Sequence, residues 1–471
     1  MPVVCGALKS APMRLDYLVQ WWMMDARSHR VIIVGAGFAG LAAAYDLACK
    51  GYGVTVLEKE NEVGGLAAGF PLDGYRLEKF YHHWFVHDTE IMELVRELGV
   101  EDQVALRPAR TGVYCRGRVY RFSTPLDLLR FKPLRFRDRI RLGLAVLRAR
   151  RAKDWRPLDD LSADEWLQRM CGPAAYELVW APLLRGKFGE HAPDISAAWI
   201  WSKLVLRGGS RGRGGREMLA CFRGGLDAIT ARLVSEIRRR SGSVLTGHQV
   251  KALAVYNHRF RAAATDQGWF DGDAVILTPS LPIVAGLIEP HAPAQYAQDL
   301  RRVRYVANVC LVLQLDRKLS DIYWLNVNDP GFPFVGVIEH TNLEPPESYG
   351  GRHIVYLSRY VPEDSPFFIA GDEEVFKTAL PRLQRIFPTL SEDWVRRYNV
   401  WRTPCGQALV ARGYGKLVPE IATPVKGAYL ATLAQVYPQD RGITYSVRDG
   451  RKAASMVDDF LRRSGNSIMI P

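Results

Sequence analysis

Cysteine is scarce in this chain: seven residues in 471, scattered, odd in number and without a C-x-x-C pair. A disulfide framework or a zinc ribbon needs paired spacings, so neither is expected, and the pattern suits a reducing compartment. Long apolar runs are missing too. Stretches such as AAWIW and IVAGLI fall far short of the roughly 18 uncharged residues that span a bilayer. Residues 1–24 lack the apolar core and small-residue cleavage site of a signal peptide and read as a leader or loose arm. No internal repeat or low-complexity linker is visible; RGGSRGRGGRE (207–217) reads as a mobile loop. These absences point to the cytoplasm, with attachment to the inner face of the membrane left open.

Acidic residues are sparse in one region. Between Arg107 and Arg156 sixteen Lys and Arg face three acids, an excess that equals the whole net charge of +13. The remaining chain is near neutral, so the charge is a local surface feature. Within it Phe136, Ile140, Leu144 and Leu147 recur at helical spacing, which predicts a helix seated on its domain with arginines in solvent. The same segment, residues 130–156, is a candidate for contact with an anionic membrane surface. No stacking motif accompanies the charge, so nucleic acid is not an expected partner. Oligomeric state is not legible.

With 48% hydrophobic and 24% charged residues, the chain is a globular protein long enough for two or three domains. Its strongest local signal is RVIIVGAGFAGLAAAYDLACKGYGVTVLEKE. A β-branched strand runs into Gly35-x-Gly37-x-x-Gly40, then an Ala/Leu-rich helix opening at Phe38 and Ala39, then a second strand ending at Glu58 and Lys59. Gly35 permits the tight turn, Gly37 lets the backbone approach a pyrophosphate, and Gly40 lets the helix sit against the strand. The helix start offers unpaired N–H groups to phosphates, and the Glu58 carboxylate suits ribose hydroxyls. Just downstream, NEVGGLAAGF supplies Gly64, Gly65 and Leu66.

A GxGxxG unit followed by E-x-x-G-G-L resembles the superfamily of flavin-containing amine oxidases, protoporphyrinogen oxidases and phytoene-type desaturases. Two further stretches are similar. GSVLTGHQVKALAVYNHRFRAAATDQGWFDGDAVILTPS (242–280) resembles the family's meander and returning strand, which implies that the backbone at Val250 holds the adenine. KGAYLATLAQVYPQDRGITYSVRDGRKAASMVDDFL resembles its closing strand, loop and helix, which implies that Gly442, Ile443 and Thr444 face the flavin's pyrimidine end. The family's usual Gly-Asp is replaced by Leu433-Ala434, with Asp440 nearer the helix as the acidic contact. The resemblance implies an α/β fold: a Rossmann-like FAD-binding domain of the amine-oxidase type from 25–110, 216–285 and 415–471. A mixed α+β substrate domain would come from the insertions 111–215 and 286–414. FAD is expected to be non-covalent, with Cys405 in TPCGQALV read as a buried thiol.

Substrate choice should lie in the insertions. WAPLLRGKFGEHAPDISAAWIWSKL sets Arg185 and Lys187 among apolar residues, as pocket and catalytic candidates respectively. FPFVGVIEHTNLEPP reads as a strand whose end offers Glu339 and Asn342 to the pocket and His340 to catalysis. Tyr445, after the last glycine, joins the pocket set. YHHWFVH (81–87) is the densest histidine cluster. His83 and His87 have the spacing of a helical metal pair, but in an extended segment they stand ~13 Å apart, so no metal is expected. Tyr81, His82 and His83 read instead as pocket lining, with a histidine as proton acceptor. The implied function is an FAD-dependent oxidoreductase that takes hydride from a C–N or C–C bond of a small, largely apolar molecule. A redox-neutral mutase or isomerase on a sugar nucleotide or lipid stays open, as does a non-catalytic relative of the dissociation inhibitors.

Overall fold

The computed structural model describes residues 29–209 and 217–466. The 1–24 leader and positions 210–216 of the expected loop lie outside them. Residues 207–209 end the helix Ala197–Gly209 and Glu217 opens a strand.

The Rossmann-type unit is built by strand alternation. Five parallel strands lie in the order 243–245, 53–57, 30–34, 274–277, 428–430, in register through pairs such as Val31 with Val54 and Val31 with Ala274. Every residue of Val31–Val34 is buried, as expected of a parallel sheet covered on both faces. Period-two alternation divides them. Val31 and Ile33 join the core with helix Phe38–Cys49, whereas Ile32 and Val34 join the core that includes Val250, Leu253 and Phe260 of the meander 250–271. The closing helix Ile443–Asn466 lies so close to Phe38–Cys49 that a Cβ on Gly450 would stand 2.2 Å from the Ala39 carbonyl oxygen.

Seven strands make a mixed second sheet in the order 395–408, 305–315, 353–361, 336–339, 324–327, 111–115, 118–121. In HIVYLSRYV (353–361), Val355 and Leu357 face helix Asp372–Ile386, while Ile354 and Tyr356 face the opposite core. That opposite face receives the hairpin Gly69–Glu78 and the aromatic segment after it. The fold is thus α/β, with a helical insertion between residues 125 and 209.

Helix Phe136–Ala149 corrects the reading of the basic stretch. Its inward residues are Leu142, Ala145 and Ala149, while Phe136, Ile140, Leu144 and Leu147 are 40–65% exposed. Two alanines on the 142/145/149 face let the helix approach its neighbours closely, Ala149 meeting Trp201, so the bulkier stripe is left outside. Among the described residues no helix is long and apolar enough to cross a membrane.

Candidate active site

Two glycine turns face each other at the carboxyl end of the parallel sheet. Gly35 holds φ +98° and donates to the Leu57 carbonyl at 2.8 Å, while Gly64, at φ +110°, donates to the Ala36 carbonyl at 2.8 Å. Both positions demand glycine conformationally. A Cβ on Gly65 would stand 3.3 Å from the Gly37 Cα, and one on Gly37 would stand 4.0 Å from the Gly65 Cα. The space between the turns is therefore kept clear by missing side chains, and the first N–H groups of helix Phe38–Cys49, at Phe38 and Ala39, have no side-chain cap. Clearance plus unpaired donors fit a diphosphate.

Glu58 ends the second strand and is 6% exposed. Its carboxylate accepts from the Ala36 N–H at 2.7 Å and the Glu60 N–H at 3.0 Å, so it braces the glycine turn while keeping lone pairs for ribose. His248 N donates to the Glu58 carbonyl at 2.7 Å, which brings the meander's first residue, buried Val250, to the same end. Leu66 lies in the short 3₁₀ turn Gly65–Ala67. Lys59 points outward and pairs with Glu60 at 3.2 Å. Across the sheet, Ile443 and buried Thr444 open the last helix directly after Gly442. These groups fit FAD: a phosphate cradle, a ribose acid, and a second helix start for the ring system.

The last helix start meets the aromatic segment. Arg441 Nη2 donates to the Tyr360 hydroxyl at 3.1 Å. Tyr81 stands edge-on to Trp324 and Tyr356, at 5.1 and 6.1 Å between centroids. Its hydroxyl is held well above the usual range by burial, then by Tyr360, against a hydrogen bond with Ser358. His82 Nδ1 lies 2.8 Å from the Phe80 carbonyl, which makes Nδ1 the protonated nitrogen and leaves Nε2 as an acceptor. Burial, followed by the Arg441 charge, lowers the His82 pKa to about 4. Beside them Asp440 takes Lys187 Nζ at 3.1 Å on both oxygens, a contact from Lys203, and the Trp199 indole N–H at 3.3 Å. Burial alone would raise the Asp440 pKa, but Lys187 and Lys203 outweigh it and hold the carboxyl far below the usual range. Three cations around one carboxylate leave this corner positive, at the positive end of the Ile443–Asn466 dipole.

Sequence reading assigned Lys187 and Asp440 separately; the structure makes them one ion pair. It missed Arg441, Tyr360, Lys203 and Trp199. Lys203 was detectable as the i+4 neighbour of Trp199 on one helix, whose ring its ammonium overlies at 4.6 Å. Arg441 and Tyr360 are 81 positions apart in sequence, and nothing local joins them.

The other candidates make other contacts. His83 Nδ1 faces the Tyr323 hydroxyl at 2.9 Å, and its ring stands edge-on to Trp324 at 5.8 Å between centroids. His340 meets the Tyr349 hydroxyl at 2.7 Å and is separated from Tyr81 by the Tyr356 ring. Glu339 accepts from Leu319 N, Ser320 N and Ser320 Oγ at 2.7 to 2.9 Å, and Asn342 donates to the carbonyls of Ser320 and Ile322. Strict alternation would have sent them to opposite sides. The strand stops at Glu339 and His340–Asn342 form a 3₁₀ turn, so both side chains staple the 319–322 loop. Arg185 is 62% exposed and pairs with Glu177 at 3.3 Å, pointing to solvent. Tyr445 lies against Gly442 and under the Arg448 guanidinium, 5.0 Å from its ring centroid. Cys405 is half-buried rather than enclosed. Among the described residues no group of three or more His, Cys, Asp or Glu is placed to hold a metal.

Half-buried His82 and buried His340 are both held neutral, each with its pKa lowered to about 4, desolvation being the largest cause. The unfolded chain takes up those protons near pH 6.5 and the folded chain only near pH 4. Their contribution to stability is therefore complete above about pH 6.5 and falls as pH drops toward 4. His82→Gln and His340→Gln should each flatten the slope of unfolding free energy between pH 4 and 6.5 by up to about 1.4 kcal/mol per pH unit. Urea titrations across that range measure it; slopes equal to wild type would refute the neutral assignment.

A sequence model of the flavin-containing amine oxidoreductases matches residues 38–457. The chain is 24% identical to 15-cis-phytoene desaturase of Synechococcus elongatus, over 92% of this chain and 98% of the relative. It is 23% identical to coproporphyrinogen III oxidase of Propionibacterium freudenreichii, over 80% of this chain and 81% of the relative. In three dimensions it superposes on reduced UDP-galactopyranose mutase with a TM-score of 0.71 at 16% identity, covering 92% of this chain and 96% of that one. That last likeness is one of fold. With the glycine cradle, Glu58 and the closing helix start in place, the match across nearly the whole chain shows that this protein belongs to the flavin-containing amine oxidoreductase family and is an FAD-dependent oxidoreductase.

Proposed function

We propose that the protein dehydrogenates a C–N or C–C bond of a small, largely apolar molecule bound between residues 80–83, strand 353–361 and the Asp440–Gly442 turn. One observation carries this reading. Tyr81, His82 and Arg441 converge beside the last helix start, where the Arg441 charge acts on both neighbours, yet each is only half-buried. Side chains in that condition border an internal space instead of filling a core. In this reading segments 25–110, 216–285 and 415–471 hold FAD, while 111–215 and 286–414 select the substrate, which arrives from an anionic membrane surface met by residues 130–156.

Bound FAD supplies the hydride acceptor. The chain's own residues orient the substrate and exclude water. Tyr81 and Trp324, backed by the fully buried Tyr356, form an aromatic wall that favours an apolar body and holds the reacting carbon in place. His82 Nε2, neutral at pH 7, accepts the proton released next to that carbon. The positive corner of Lys187, Lys203 and Arg441, beside the last helix start, would stabilise the negative charge that the hydride acceptor gains.

Anaerobic mixing with amines, polyenes and porphyrinogens tests the reaction class. A substrate of an oxidase or dehydrogenase bleaches the flavin absorbance without added reductant. If none does, while a sugar nucleotide is isomerised only after dithionite reduction, the mutase reading replaces this one. His82→Ala should keep its flavin and lose at least about tenfold in turnover. His83→Ala should keep turnover and lose about 1 kcal/mol of stability with the Tyr323 bond. Full turnover in His82→Ala would remove the acceptor role.

A further inference from the structure

The helical insertion carries a second polar site far from the flavin cradle. A cleft of about 730 Å³ is lined by Arg116, Arg135, Arg137 and Arg141, with Asp138 and Glu177 as its carboxylates. The two acids do not neutralise it. Glu177 pairs with Arg185 at 3.3 Å, outside the lining, and among the described residues Asp138 lies within ion-pair distance of Arg137 alone, at 3.8 Å. Arg141 donates to the Arg169 carbonyl at 3.0 Å, which fixes its guanidinium at the wall. Among the described residues, Arg116 and Arg135 have no carboxylate within ion-pair distance. Arg135 is also the N-cap of helix Phe136–Ala149, whose first-turn N–H groups have no side-chain cap. An excess of guanidinium groups over carboxylates, in a concave site, recognises a phosphate.

The surroundings decide which phosphate. At 100° per residue, Arg137 and Arg141 lie on the edge of the exposed stripe of Phe136, Ile140, Leu144 and Leu147. On the other edge, helix Pro125–Arg130 adds Leu126 and Leu129, 51% and 41% exposed; Leu128 meets that edge at Gly143. Six large apolar side chains standing in solvent beside a cationic cleft match a phospholipid in both its parts. Acyl chains would cover the stripe, and the headgroup phosphate would enter the cleft.

We propose that this cleft is a phospholipid headgroup site that seats the Phe136–Ala149 helix on an anionic bilayer with its stripe submerged. The proposal rests on the reading that residues 130–156 meet such a membrane, and adds a defined phosphate-binding site to it. General basicity would attract the protein to the surface in any orientation; the cleft would fix one.

Vesicle flotation of the flavin-loaded protein tests it, with phosphatidylcholine alone and with phosphatidylcholine containing phosphatidylglycerol. Wild type should float only with the anionic vesicles. Arg116→Gln/Arg135→Gln should weaken that binding about 30-fold at low salt, with flavin content unchanged. Arg150→Gln/Arg151→Gln removes the same charge from the same segment outside the cleft, and should cost less than about fivefold. Phe136→Ser/Leu147→Ser should abolish flotation. Equal losses in the two arginine pairs would overturn the headgroup site and leave the membrane reading standing, since charge would then act diffusely. Absence of wild-type flotation would overturn both. So would light scattering that shows a dimer broken by Phe136→Ser/Leu147→Ser without vesicle binding, because a second copy would then cover the stripe.

Discussion

Gly40→Ala is expected to cripple the fold, whereas Gly37→Val, three residues earlier in the same motif, should leave the fold intact and abolish flavin binding. A Cβ on Gly40 would stand 2.0 Å from the Gly35 carbonyl oxygen and 3.2 Å from Ile33 Cγ2. Neither neighbour can yield: one is main chain in a tight turn, the other a fully buried strand residue. Overpacking ordinarily costs about 1–3 kcal/mol, and a backbone contact this short should exceed about 3. Gly37 differs because its Cβ would meet only the Gly65 Cα, at 4.0 Å, an ordinary contact. A valine there would occupy the gap between the two turns that a diphosphate needs. Denaturant midpoints of the two apoproteins, with flavin absorbance after gel filtration, separate the outcomes. A Gly37→Val protein that stays yellow would disprove the cradle.

Asp440→Asn should destabilise the protein by about 3 kcal/mol or more, because it removes the carboxylate that Lys187 and Lys203 share. Lys187 and Lys203 have side chains only 14% and 23% exposed, and Asp440 is their shared carboxylate. Removing one partner of a largely buried ion pair costs more than the pair itself contributes. The double variant Asp440→Asn/Lys187→Met should therefore recover more than about 1 kcal/mol relative to Asp440→Asn. Because the folded-state pKa of Asp440 is depressed, its contribution is complete above the unfolded carboxylate value and is lost only as pH falls through the folded one. The defect of Asp440→Asn should accordingly be constant from pH 5 to 8. Urea denaturation at several pH values measures this, and additive single and double effects would dissolve the cluster into independent surface charges.

The legible parts of the site were those whose physics is local. The spacing of Gly35, Gly37 and Gly40 fixes a turn, a clearance and a close approach within six residues. Glu58 and Gly64–Gly65 follow after one helix and one strand. Alternation puts His82 and His83 on opposite sides of an extended YHHWFVH segment, but cannot tell which of them faces inward. Alternation fails at Glu339 and Asn342, which it would send to opposite sides, because a 3₁₀ turn replaces the strand after Glu339 and turns both side chains to one loop. Helical periodicity placed Phe136, Ile140, Leu144 and Leu147 on one face and could not say what that face meets.

By itself, then, the sequence determined a dinucleotide cradle and the α/β frame that holds it, since turn geometry and strand burial are set by neighbouring residues. Only the tertiary structure decided that Arg441 reaches Tyr360, that Lys187 and Lys203 share Asp440, and that the apolar stripe looks outward. Those contacts join chain segments tens to hundreds of residues apart, and their energies depend on burial and mutual distance, quantities that exist only once the chain has folded.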